Sequence, residues 1–283
     1  MKYIVVTGAS TGIGYAATAE LCQHGYTVLA GVRRPADAER LRQSLGDRVT
    51  PLLLDVTDVT MIAQAAAQAT AIVGAHGLAG LINNAGVAVA GPLLHLPLDE
   101  LRHQFEINVM GLLAVTQAFL PLLGARRPYP HPPGRIINIS SVSGRVALPL
   151  MGPYAASKHA VEALSDSLRR ELLLYGIDVI VIEPGAVRTP IWDKAEALDT
   201  SRYAATDYAA IVQVMQRTAV QQGRQGMSPE RVAAVIRRAL EAPHPKSRYP
   251  MPNGSQLGWA LLRALPDRWL DWLIARRFGL RKA

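Results

Sequence analysis

The opening strand, turn and helix limit the possible folds more than any other stretch. Lys2 to Thr7 (KYIVVT) is a short run rich in β-branched residues, the pattern of a buried strand. It breaks at Gly8-Ala9-Ser10-Thr11-Gly12-Ile13-Gly14, and an apolar-periodic helix then runs to about His24. Glycines at 8, 12 and 14 permit a tight turn and let a ligand approach the backbone closely. The helix start then offers unpaired N–H groups and the positive end of its dipole to an anion. An ordinary strand–helix turn can also be glycine-rich. The strand before and the helix after supply the context that a dinucleotide's pyrophosphate requires, with Ser10, Thr11 and Ile13 completing the loop.

The same unit then repeats. Gly25 to Val32 reads as a second strand and ends in Arg33-Arg34-Pro35. At this point of a dinucleotide fold an acid holds the ribose hydroxyls of NAD, whereas an arginine accommodates the 2′-phosphate of NADP. No acid stands at the strand end, and Arg33 can pair with a phosphate bidentately, so the reading is NADP, with NAD the less favoured. A polar helix (Ala36 to about Leu45) leads to a strand over Val49 to Leu54 that ends in Asp55-Val56. Asp55 is placed either to accept from an adenine amino group or to serve as a turn residue. A helix over Thr60 to Gly74 and a strand over Leu78 to Ile82 follow, ending in Asn83-Asn84-Ala85-Gly86. This alternation predicts an α/β, Rossmann-like, doubly wound parallel sheet with helices on both faces, as a single domain. Ligands of such sheets bind at the carboxyl ends of the strands, where each of these motifs lies.

Further along, Tyr154 and Lys158 stand four apart in a helical stretch, so they share a face. A neighbouring ammonium favours the phenolate, which predicts a lowered tyrosine pKa and a proton-exchanging phenol. Taken alone, such a pair is also what a solvated helix face carries. Bulk properties remove other classes. The 283 residues and 49% hydrophobic content suffice for one large domain with a buried core. A single cysteine, Cys22, leaves no disulfide framework and no cysteine metal site, which suits a reducing cytoplasm. No signal-peptide pattern and no apolar run of transmembrane length are expected. The net charge of +8 raises nucleic acid or an anionic membrane as partners, but zinc-finger spacing and RNA-binding aromatics are missing, so nucleic acid is excluded.

Taken together, the motifs resemble the short-chain dehydrogenase/reductase family in its shorter, single-domain branch. Thr7 to Gly14 matches TGxxxGxG, and Asn83 to Gly86 matches NNAG. Asn108 matches the family's helix asparagine, and Ser141 its serine thirteen residues before the tyrosine. Tyr154 and Lys158 match YxxxK, and Pro184-Gly185-Ala186-Val187-Arg188-Thr189 matches the PG motif with its threonine. The resemblance covers roughly residues 1 to 190 with every motif in order. It implies an alcohol–carbonyl oxidoreductase whose catalytic residues are Asn108, Ser141, Tyr154 and Lys158. Tyr154 would exchange a proton with the substrate oxygen while a hydride passes between substrate carbon and nicotinamide. Lys158 would lower the phenol's pKa and hold the nicotinamide ribose. Ser141 would polarise the carbonyl, and Asn108 would anchor a water linking Lys158 to solvent. The implied cofactor contacts add Pro184, Gly185, Val187 and Thr189. No metal is called for.

The remaining chain fits around this set. Asp99 to Leu123 reads as the helix carrying Asn108, Ala125 to Pro133 as a proline-rich surface connection, and Gly134 to Ser140 and Ile177 to Ile182 as strands. Residues 1–255 form the expected catalytic domain, with a substrate lid at about 190–226. The candidate lining near Tyr154 is Val87, Val89, Leu148, Leu150, Met151, Ile191 and Trp192. All are uncharged, so a small lipophilic alcohol or carbonyl compound of retinoid, steroid or aryl-ketone type is the expected substrate. Residues 256–283 carry three of the four tryptophans and a cluster of arginines, divided by Pro266. That segment is expected either to pack on the domain or a subunit surface, or to make peripheral membrane contact. In relatives the Asn108 and Tyr154 helices pair between subunits, so a homodimer or homotetramer is expected. The alternative function is a catalytically silent NADPH-binding regulator or scaffold. An extended-branch sugar epimerase would need a longer C-terminal domain.

Overall fold

Short β-branched runs become strands here because each is buried on both faces. In β1 (Tyr3–Val6), Ile4 and Val6 join one apolar cluster and Val5 joins the other. The same alternation of side chains between faces recurs in β2 (Thr27–Val32) with Val28 and Ala30 against Leu29. A computed structural model describes residues 2–280, without the side chain of Lys194. Arg281 and Lys282, part of the basic C-terminal cluster, lie outside the described residues.

Five further strands, β3 (Val49–Leu53), β4 (Leu78–Asn83), β5 (Arg135–Ile139), β6 (Asp178–Pro184) and β7 (Arg248–Met251), complete one parallel sheet in the order β3-β2-β1-β4-β5-β6-β7. The order reverses between β1 and β4, which pair in register at Val6 and Ile82. One face of the sheet is covered by α1 (Gly12–Gln23), α2 (Pro35–Leu45) and, from the far end of the chain, α9 (Pro229–Glu241). The other is covered by α3 (Val59–Val73), α5 (Leu112–Leu123) and α6 (Gly152–Glu171). Asp58 caps α3, accepting from the N–H groups of Thr60 and Met61, and Ser228 caps α9 through the N–H of Arg231.

The helix predicted from Asp99 to Leu123 is continuous but not uniform. Between α4 (Leu98–Phe105) and α5 it widens into a π-turn over Glu106–Gly111, centred on Asn108. The composite helix Leu98–Leu123 is long and apolar enough to cross a membrane, which the sequence reading did not expect. More than half of its most apolar window is buried, with α5 packed on β4 and α3, so that hydropathy belongs to the core. Beyond β6 lie α7 (Ile191–Glu196) and α8 (Ala209–Arg224), the region expected as a lid. After β7 come α10 (Gln256–Ala264) and α11 (Asp267–Phe278), parted at Pro266 as predicted.

Candidate active site

At the switch point the turn after β1 is locked to the turn after β4. The buried Thr7 hydroxyl accepts from the backbone N–H groups of Asn84 and Ala85, both at 3.0 Å. Asn84 Nδ2 donates to the carbonyls of Thr7 (3.0 Å) and Gly8 (3.1 Å). Gly8 and Gly12 adopt φ +63° and +58°, and a Cβ on Gly14 would stand 2.2 Å from the Gly8 oxygen. The glycines are therefore required by the shape of the loop, not by chain flexibility. Thr11 precedes α1 without a side-chain cap, and the first turn of α1 carries no acid, so its N–H groups face outward uncompensated. Thr189 lies across the loop, its Cγ2 3.0 Å from where a Gly12 Cβ would be. A backbone cradle that would clash with any Cβ, at an uncapped helix start, fits a pyrophosphate.

At the end of β2 the arginine pair divides. Arg34 Nε donates to Asp37 at 2.9 Å, and Arg40, which the sequence reading did not include, donates to the same carboxylate at 2.8 Å and to the Ser10 carbonyl at 3.1 Å. Both arginines hold the Asp37 carboxyl below its usual pKa. An acid therefore does stand beside this strand end, in the first turn of α2, but it is buried and neutralised. Arg33 is exposed and has no ion pair among the described residues. At the next strand end the Asp55 carboxylate accepts from the Thr57 N–H at 3.0 Å and its hydroxyl at 2.8 Å, and Val56 is buried beside Gly111. Asp55 is thus a turn former in this structure.

The asparagine pair after β4 also divides. The Asn83 side chain points into the core, donating to Thr116 and Asn138, each at 2.9 Å, so only its backbone lies at the sheet edge. Its neighbour Asn84 is the residue that faces the glycine loop. Ala85 and Gly86 carry the chain past Gly8 and Asn108. Asn108 is buried in the π-turn, where widened turns often mark function. Its side chain bonds both backbone groups of Val87 (2.9 and 3.0 Å) and the Ser157 hydroxyl (3.1 Å). These bonds occupy the amide in bracing the loop, not in holding a water as expected. Buried Gln104, four residues earlier and on the same face, braces Val87 and Val89 in the same way. Its spacing from Asn108 was the available signal for that role.

Ser141, at the end of β5, donates to the Pro184 carbonyl at 3.3 Å and accepts from the Ser143 N–H. Tyr154 sits in the first turn of α6, close enough to the Ser141 hydroxyl for that group to pull its phenol's pKa down. Lys158, 6% exposed, donates to the Ile139 carbonyl at 2.8 Å, and its Nζ is 5.7 Å from the centre of the Tyr154 ring. Burial lowers the lysine to about 8, opposed by the Glu162 carboxylate one turn on. Burial also raises the Tyr154 phenol, against a smaller opposing pull from Ser141. The expected lowering of the tyrosine is therefore reversed in the protein alone. Removal from water penalises the phenolate and the ammonium alike and is the largest cause of both shifts.

On the substrate side, Leu150 adopts φ +61° and accepts from the Gly91 N–H at 2.7 Å, joining its loop to the one after Val89. Leu93 covers Gly152 at the start of α6, next to Met151. Leu148 is exposed and Ile191 half-buried. Trp192 does not line the cleft as expected. Its Nε1 donates to the Val187 carbonyl at 2.7 Å and its ring lies against Gly223, so it fixes α7 to α8. Asn253, unforeseen because it follows β7, accepts from the Ala186 N–H and donates to the Ala186 carbonyl at 2.9 Å, holding the stretch after Pro184-Gly185. A cavity of about 420 Å³ between α7 and α8, lined by Glu196, Gln216 and Arg224, lies apart from Tyr154. Ser141, Tyr154 and Lys158 gather at the sheet edge, not at that cavity.

A doubly wound parallel sheet with a glycine cradle at its switch point, and a polar Ser–Tyr–Lys set beside it, defines the dinucleotide-binding α/β oxidoreductases as the class. Residues 2–199 match the family model for short chain dehydrogenase, and the chain belongs to that family. It is 40% identical over 271 residues to an NADPH-dependent 3-dehydrocapnine reductase of Ornithobacterium rhinotracheale, covering 96% of this chain and 95% of that one. It is also 36% identical to retinol dehydrogenase 5 of Mus musculus, over 97% of this chain and 89% of the relative. Among solved structures, a short-chain dehydrogenase from Streptomyces avermitilis superimposes with a TM-score of 0.76 at 30% identity, covering 98% and 97% of the two chains.

Proposed function

We propose that this protein is an NADP(H)-dependent oxidoreductase that interconverts a lipophilic alcohol with its ketone or aldehyde, with Tyr154 as the proton-exchanging group. The observation that carries the reading is the meeting of Ser141, Tyr154 and Lys158 at the carboxyl ends of β5 and the start of α6, beside the glycine cradle. When bound, the dinucleotide supplies the hydride. The raised pKa keeps the Tyr154 phenol protonated at neutral pH, ready to donate to the oxygen of a carbonyl being reduced. The Ser141 hydroxyl can rotate away from its long bond to Pro184 and hold that same oxygen. Lys158, close to half-ionised near pH 8, favours the phenolate only while it holds its proton.

The NADP preference rests on Arg33, whose guanidinium is open to a 2′-phosphate while Arg34 and Arg40 neutralise Asp37. The relative whose name specifies NADPH supports it. A lipophilic substrate is supported by the uncharged lining and by Leu93, Leu94 and Leu148, which remain exposed on the two loops beside Tyr154, with exposed Leu98 at the start of α4. Assembly as a homodimer or homotetramer is part of the same proposal, supported by exposed Met110, Leu173 and Leu174 on the Asn108 and Tyr154 helices and their ends. The test is loss of reduced-cofactor absorbance with a panel of retinoid, steroid and aryl carbonyl compounds. Activity should be greater with NADPH than with NADH, and Arg33→Asp should move the preference towards NADH. Turnover that survives in Tyr154→Phe would remove the mechanism.

A further inference from the structure

The two helices after the sheet carry a surface that the reaction does not use. Leu257 and Leu261 lie four apart on α10, and Trp269, Trp272 and Leu273 lie at i, i+3 and i+4 on α11, so each set occupies one side of its helix. All five are exposed, Trp269 at 67% and Trp272 at 57%. The other sides of the helices are half-buried. Leu262, Leu265 and Leu270 close a cavity of about 280 Å³ over Gly144, Arg145 and His159. The pair therefore rests on the segment between Ser141 and Tyr154, the segment that also carries exposed Leu148.

The charge around this apolar surface is positive. Arg263, Arg268, Arg276 and Arg277 are exposed, against Asp267 and Asp271. Among the described residues, only Arg268 of these four reaches a carboxylate within 4 Å, at 3.9 Å from Asp271. Arg276 lies over the Trp272 ring at 5.5 Å and Arg277 over Phe278 at 5.9 Å, the arrangement of a cation kept beside an aromatic belt. A second copy of the chain would bring the same arginines against these, since a two-fold contact joins like to like. An anionic surface would neutralise them instead. Nine and twelve residues are too few to cross a bilayer, whereas tryptophan, leucine and arginine on short helices suit the plane of its headgroups.

We infer that α10 and α11 dock this protein on anionic phospholipid bilayers. Docking brings the loop between Ser141 and Tyr154 to the lipid surface, and it does not depend on the reaction proposed above. The test is flotation of the full chain, without cofactor or substrate, with vesicles of phosphatidylcholine alone or mixed with phosphatidylglycerol. Binding should require phosphatidylglycerol, weaken in high salt and shift the tryptophan emission to the blue. Arg276→Gln with Arg277→Gln should weaken it roughly 30-fold at low salt. Trp269→Glu with Trp272→Glu should abolish it while leaving thermal unfolding and cofactor binding as in the parent. The inference is overturned if the parent stays in solution with anionic vesicles at low salt, or binds phosphatidylcholine equally well. It is also overturned if the tryptophan variant still floats, or if that variant instead splits a dimer whose parent never binds vesicles.

Discussion

Lys158→Met should make the unliganded protein more stable while removing its activity. In the fold the ammonium is driven to about 8 from an ordinary value of 10.5. Between those values the unfolded chain holds the extra proton, so stability rises with pH, and below about 8 the folded protein bears the full cost of a buried charge. At about 1.4 kcal/mol per pH unit that cost is about 3 kcal/mol. Methionine fills a similar volume without charge, but forfeits the hydrogen bond to the Ile139 carbonyl, worth about 1 kcal/mol. The net gain of about 2 kcal/mol corresponds to a rise in Tm of about 3 °C for a domain of this size. Thermal unfolding of parent and variant by circular dichroism, from pH 7 to 10.5, reads both features. The variant's advantage should be largest at pH 7 and should vanish towards pH 10.5. A variant less stable than the parent at pH 7, or an advantage that does not change with pH, would refute the reasoning.

The cofactor cradle gives two further expectations. Gly14→Ala places a methyl group 2.2 Å from the Gly8 carbonyl, so the loop must shift, and NADPH affinity measured by fluorescence titration should fall about tenfold or more. Retention of affinity within about twofold would show that the cradle is not built as described. Thr7→Val leaves the N–H groups of Asn84 and Ala85 without their acceptor, which should cost about 2–4 kcal/mol and lower the Tm by about 3–7 °C. Thr7→Ser, which keeps the oxygen, should recover most of that loss.

The sheet was legible because its signals are local. Each strand is a short apolar run ended by a turn, and every run read from the sequence became a strand within a residue or two. The meeting of Ser141, Tyr154 and Lys158 at one sheet edge was legible because their motifs are spaced along the chain in order. What escaped was side-chain direction. Asn83 and Asn84 are neighbours at a strand end, so one turns into the core and the other towards the glycine loop, and no pattern in the sequence says which. Trp192 and Asn253 act on segments brought close only by the return of α8 and β7. The Tyr154 pKa ran opposite to expectation because i, i+4 spacing reports proximity, whereas burial is set by the whole fold.

That burial is itself managed by charges placed behind the site. Glu162, one turn after Lys158, meets Arg145 at 3.1 Å and Arg248 at 3.0 Å, and Glu183 meets Arg145 at 3.0 Å. Both carboxylates are buried, and burial together with the Glu162 charge pushes the Glu183 carboxyl up. Such a network is a poor source of stability, because its desolvation cost rivals its attraction. Its placement gives a better account. Arg145 follows the Ser141 turn, Glu162 rides on the Tyr154 helix, Glu183 directly precedes Pro184-Gly185 and Arg248 begins β7. Two forked guanidiniums thus tie together the segments that present Ser141, Tyr154 with Lys158, and the PG turn, and forked pairs fix relative position more closely than apolar contacts do. Glu162 also raises the Lys158 pKa against its burial. One cluster therefore holds the site's geometry and keeps its lysine ionisable near neutral pH.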